Sequence, residues 1–108
     1  MDLINSHNSI YRKTGGGLIG TLKFTYPLIE LIVEENLIRI KPIIGNSWKF
    51  TPEDVLSIEP YSDLWFNGIQ INHIKKNNPN LIVFRTSSIK EVIENIQEIG
   101  FIPKAKPL

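Results

Sequence analysis

The chain has 108 residues, a formal net charge of +1 and no cysteine. That length supports one domain with one core, burying about 65% of the unfolded surface, and leaves no room for a second domain. The missing cysteines exclude disulfides, thiolate nucleophiles and cysteine metal sites, and the near-neutral charge gives no field that advertises a nucleic-acid partner.

Isoleucine dominates the apolar residues and alanine appears only at Ala105, a balance that favours strands. The accompanying bias to Ile, Asn and Lys is the compositional mark of an AT-rich, bacterial genome. The opening MDLINSHNSIYRK lacks the charged and continuous apolar regions of a signal peptide. No apolar run approaches the roughly 20 residues that cross a bilayer, so a soluble, cytoplasmic protein is expected.

Residues 1–17 are polar and weakly patterned, and they end in Gly15, Gly16 and Gly17. They read as a flexible lead-in. A Walker loop would need Lys and Ser/Thr after the last glycine and a helix to follow, whereas Gly20, Thr21 and Leu22 lead into strand pattern.

Over residues 18–26, Leu18, Gly20, Leu22, Phe24 and Tyr26 alternate with Thr21, Lys23 and Thr25, the period of a half-buried strand. Pro27 breaks or bends the chain, and residues 28–33 form a second strand. After a tight turn at Glu34, Glu35 and Asn36, residues 37–44 alternate Ile38 and Ile40 against Arg39 and Lys41. Gly45 and Asn46 turn the chain into a short strand at 47–50.

Thr51, Pro52, Glu53 and Asp54 interrupt the pattern and suit one helical turn with proline at its first position. Strands follow at 55–59, 68–74 and 81–86, joined by a loop at 60–67 and a polar connection containing Pro79. The last element is a helix. Ile89, Val92, Ile93, Ile96 and Ile99 share one face, so the helix over residues 88–99 must dock on the sheet to be stable. Ser88 and Glu91 have the spacing of a capping box, while Gly100, Phe101 and Pro103 supply the stop. Residues 104–108 read as a fraying tail after a single domain at 18–103.

The order of seven strands and one terminal helix, with the runs ELIVEENLIRIKP, WKFTPEDVLSIEPY, GIQINH and LIVFRTSSIKEVIENIQEIGF, resembles the small bacterial pleckstrin-homology-like (PH/GRAM-type) domains. The resemblance covers about residues 18–101 and rests on strand and turn patterns rather than chemical signatures. It implies a mainly β fold: a barrel of seven antiparallel strands in two roughly orthogonal sheets, four plus three, capped by the helix. Inositide-binding members carry basic residues in both strands of the first hairpin. Lys23 suits the first position, but the second strand, LIELIV, has no basic residue.

In that family the first, third and sixth loops gather at one end and the second and fifth at the other. Lys23, Lys41, Lys49, Lys75 and Lys76 then form a basic end suited to an anion or an anionic membrane surface, with Glu34, Glu35 and Asp63 opposite. Lysines at strand ends equally serve as solvated guards against edge pairing. Tyr61, Trp65 and Phe66 are candidates for a partner contact, or for capping the core end. Trp48 is expected in the core and His73 at its rim. His7 lies in the lead-in, so no fixed histidine pair or other metal site is indicated. Glu53 and Asp54 have no nucleophilic or basic companion.

These readings lead to a non-enzymatic binding module without cofactor. Its expected partner is another protein, a peptide or a second copy, engaged by strand addition at an open edge beside the helix. Weak binding of an anionic lipid or phosphate ligand is the alternative, and an enzyme is remote.

Overall fold

The computed structural model describes residues 9–107. His7, the first part of the expected lead-in and Leu108 of the tail lie outside them. Seven strands, β1 (Tyr11–Ile19), β2 (Leu22–Glu34), β3 (Leu37–Pro42), β4 (Trp48–Phe50), β5 (Val55–Ser62), β6 (Asn67–His73) and β7 (Ile82–Arg85), are followed by one helix, α1 (Ile89–Ile99). All neighbouring strands are antiparallel, in the order β4-β3-β2-β1-β7-β6-β5.

The connection between the two edge strands shows why this sheet curls. Laid flat, seven strands would put β4 and β5 about 29 Å apart at 4.8 Å per spacing. They are consecutive in the chain, and the link from Phe50 to Val55, one 3₁₀ turn at Pro52–Asp54, can stretch at most about 18 Å. The sheet therefore bends round into a half-barrel.

Two separate sheets of four and three strands are not what the hydrogen bonding gives. The second half of β1 pairs on both flanks at once: Leu18 faces Lys23 of β2 and Val83 of β7, and Ile19 faces Leu22 and Ile82. One curled sheet results.

The expected first strand at 18–26 also divides differently. Gly20, with φ of 61°, opens a two-residue turn that separates β1 from β2. Ile19 is the core residue there, and Leu22 and Tyr26 face solvent. The chain enters the sheet at Tyr11, so residues 11–17 belong to a strand and not to a flexible lead. Gly15, Gly16 and Gly17 are buried in β1 because other strands press against it. A Cβ on Gly15 would strike the Arg85 carbonyl and lie 2.7 Å from the Phe84 ring, and one on Gly16 would strike the Phe24 carbonyl. The requirement comes from residues distant in sequence, and no local pattern announces it.

Ile29, Leu31, Val33, Ile38, Ile40, Phe50, Val55, Ile69, Ile71, Ile82 and Phe84 fill the half-barrel, and Val92, Ile96 and Phe101 close it. Ile89, Ile93 and Ile99 pack against that core half-buried, so the stripe read from the sequence is the docked face. Gly100 ends the helix at φ 92°, and the Phe101 amide donates back to the Ile96 carbonyl at 3.3 Å.

The expected capping box does not form, since Ser88 makes no side-chain cap bond. The Glu91 carboxylate instead accepts from the Tyr11 hydroxyl at 2.7 Å and from Lys13 at 3.4 Å. A reciprocal arrangement occurs at the 3₁₀ turn, where Asp54 accepts from the Thr51 amide at 2.8 Å. The tail is held too: the Lys104 amide donates to the Pro52 carbonyl at 2.7 Å and the Ala105 amide to the Val55 carbonyl at 3.1 Å. The start of β5, one of the sheet's two edge strands, is thereby partly occupied by the chain's own continuation.

Candidate functional site

The irregular pairing of β1 with β2 builds a groove on the outer face. Gly15 faces Ile29, yet Gly17 faces Phe24, so residues 25–28 bulge out of β2 opposite Gly16 alone. The bulge contains the cis peptide Tyr26–Pro27 and lifts Tyr26 to 70% exposure. Beside it, Gly15 and Gly16 offer backbone where other residues would offer side chains. The far wall is Arg85 at the end of β7, the hydroxyls of Thr86, Ser87 and Ser88, and the β5–β6 loop with Trp65. These surfaces enclose about 760 Å³, within the range of cavities that hold small ligands.

The loop carrying Trp65 is tied by one residue. Asp63 accepts the Trp65 amide at 2.8 Å and the Phe66 amide at 2.7 Å through one oxygen, and the Tyr61 hydroxyl at 2.8 Å through the other. The Trp65 amide, Tyr61 hydroxyl and Phe66 amide hold the Asp63 carboxyl below the usual aspartate range, and the same contact with Asp63 raises Tyr61. Trp65, 77% exposed, is thus presented on an ordered loop.

Charge in the groove has one sign. Lys13 and Arg85 line it, and no carboxylate does. The Arg85 guanidinium lies 4.5 Å from the Phe66 ring centroid and has no ion pair among the described residues. Lys13 shares Glu91 with Tyr11 at the groove end. The Tyr11 hydroxyl and then Lys13 hold the Glu91 carboxyl below the usual glutamate range. Burial first, and then the bond to Glu91, raise Tyr11.

The three candidate aromatic residues have separate tasks. Tyr61 braces Asp63, Phe66 lies half-buried under Arg85 and Lys23, and Trp65 alone stands out at the groove rim.

Of the five candidate lysines, Lys75 and Lys49 meet directly. Lys75 donates to the Lys49 carbonyl at 2.9 Å and lies 5.9 Å from the Phe50 ring centroid. Lys41 borders a smaller hollow with Thr14, Pro27 and Ile43, and Lys76 is exposed. Lys23 and Asp63, expected at opposite ends, are neighbours. The Lys23 ammonium sits 5.6 Å from the Phe66 ring centroid, and its charge helps to lower Asp63.

His73 contacts the Pro79 carbonyl at 2.8 Å through Nε2 and accepts the Lys75 amide at 3.0 Å through Nδ1, with its ring 4.9 Å from Phe50. Nδ1 is the acceptor, so Nε2 carries the proton. Trp48 packs edge-on to Phe24 at 6.2 Å, half-buried at the core margin.

Tyr26, Lys13, Arg85 and the Thr86–Ser88 hydroxyls escaped the sequence reading. The Pro27 break was the visible sign of the bulge, but a break does not say which neighbours it exposes. Among the described residues, no group of three or more His, Cys, Asp or Glu side chains could hold a metal ion. No helix among them is long and apolar enough to cross a membrane. No protein-family model matches the chain, and a search of curated proteins gave no significant match.

Proposed function

We propose that this protein is a non-enzymatic, cytoplasmic binding module that holds a segment of a partner protein in the groove between the β2 bulge and the β5–β6 loop. The observation that carries the reading is the pair of exposed rings, Tyr26 and Trp65, lining the same concave surface. Large exposed aromatic side chains are costly to leave in water and are favoured anchors of protein contacts. Asp63 holds the backbone at Trp65, which lowers the loop entropy to be lost on binding.

The finer description of the fold belongs to the same proposal: a pleckstrin-homology-like barrel whose β1–β4 and β5–β7 portions are two faces of the curled sheet. The four-then-three strand order, the bulge between Gly15 and Gly17 and the closing C-terminal helix support it. Strand addition is less suited to the β5 edge, because the Ala105 amide holds the Val55 carbonyl and Pro60 lacks an amide hydrogen.

Selection of a random peptide library on the full chain tests the reading. Converging sequences should bind wild-type protein and lose at least about tenfold in affinity against Trp65→Ala or Tyr26→Ala. Convergent peptides that bind both variants as well as wild type would place the binding surface elsewhere.

A further inference from the structure

The groove's lining has a chemistry more specific than its shape. Twelve residues form it, and none is acidic, in a chain with 12 basic and 11 acidic residues. Arg85 presents a guanidinium whose contact among the described residues is the Phe66 ring. That leaves its planar fork of donors unmatched by any carboxylate. Lys13 adds a second cation, itself only loosely held by Glu91 at 3.4 Å. The hydroxyls of Thr86, Ser87 and Ser88 stand on the same wall, and the two exposed rings stand at the rim.

We propose that the partner segment is acidic: a short extended stretch with one or two carboxylates beside an apolar or aromatic residue. The carboxylate meets Arg85, where bidentate pairing gives both strength and direction. The apolar neighbour lies against Trp65 and Tyr26. This inference rests on the groove being the binding site.

A membrane surface fits less well, for two cations recessed in a concave groove make a poor match to a flat anionic lipid surface. Single-stranded nucleic acid also finds aromatic rings and cations agreeable, but it needs a basic track along several phosphates. The groove, with Lys13 and Arg85 as its cations, supplies none.

The test compares two labelled hexapeptides by fluorescence anisotropy with the full chain. They share one apolar frame, and in the second the acidic residues are replaced by their amides. The acidic peptide should bind at least about tenfold more tightly at low salt, with the gap closing at about 0.5 M salt. Arg85→Gln should remove the preference, Arg85→Lys should keep part of it, and Trp65→Ala should weaken both peptides alike. Thermal melting of each variant checks that it is folded, and Lys13→Gln gives a second reading of the charge term should Arg85→Gln unfold.

Equal binding of the two peptides, with both lost in Trp65→Ala, would overturn the acidic preference and leave the groove reading standing. Binding of neither peptide, together with failure of the library selection, would overturn both. Arg85-dependent capture by phosphatidylcholine vesicles with about one-third phosphatidylserine, in the absence of peptide binding, would replace the peptide by a lipid surface.

Discussion

A Cβ on Gly68 would run into the Phe84 carbonyl, and one on Gly16 into that of Phe24. Backbone cannot turn aside as a side chain can. Gly68→Ala and Gly16→Ala should therefore each cost about 1–3 kcal/mol in urea unfolding, and Gly16→Ala should also disturb the bulge. Gly17→Ala meets Ile29 Cγ1 at 3.3 Å and the Val83 carbonyl at 3.4 Å, looser approaches that should cost less. These demands were illegible in the sequence, where three glycines in a polar stretch read as a flexible lead. The close approaches come from β2 and β7, and nothing local encodes them.

Glu91 gives a second test at this scale. Its folded carboxyl titrates below the ordinary range, so the stabilising contact is complete above that range and is lost as pH falls through the folded value. Tyr11→Phe removes the main cause and should raise the Glu91 titration midpoint followed by NMR.

The helix was the most legible element, because its apolar spacing and its Gly100–Phe101 stop are local properties. Its N-terminal box was misread because Tyr11, eighty positions away, competes for Glu91. Ile96 is 4% exposed inside the docked face. Ile96→Asp should cost at least about 3 kcal/mol and unfold the domain in a thermal melt, whereas loss of the helix alone with the sheet intact would show that the two fold separately. In the tail that follows the helix, Ala105→Pro deletes the donor to the Val55 carbonyl. About 1 kcal/mol of stability should go with it, and amide exchange at the start of β5 should quicken. The β5–β6 loop should loosen in acid. Asp63 titrates low in the folded protein, so its three bonds persist above the normal aspartate range and fail as pH drops through the folded value. Trp65 fluorescence should report that change at a pH where far-ultraviolet circular dichroism remains native, and Asp63→Asn should show the loosened signal already at neutral pH.

For the molecule as a whole, the expected strands at 18–26 and 28–33 fall mostly within β2, and most of β1 reads in the sequence as a lead-in. By contrast, β3 to β7 were readable from alternation and turn residues, since half-buried strands write their period into the sequence. The joining of β1 to β7 was not. It depends on Gly16–Ile19 having room for neighbours on both sides, and with it come the curl of the sheet, the nearness of Lys23 to Asp63, and the groove. The candidate lysines were chosen by loop position, and the structure disperses their contacts. The better-defined surface uses Arg85 and Trp65, which lie about twenty residues apart in sequence and come together only through the pairing of β6 with β7. Amide correlation spectra of the full chain during titration with an acidic, aromatic-containing peptide show whether the groove is the binding site. Binding in the groove should give saturable shifts concentrated at Gly15, Gly16, Thr86, Ser87, Ser88 and the Trp65 indole. Shifts confined to β5 and the outer face of α1, or none at peptide concentrations that saturate a micromolar site, would contradict it.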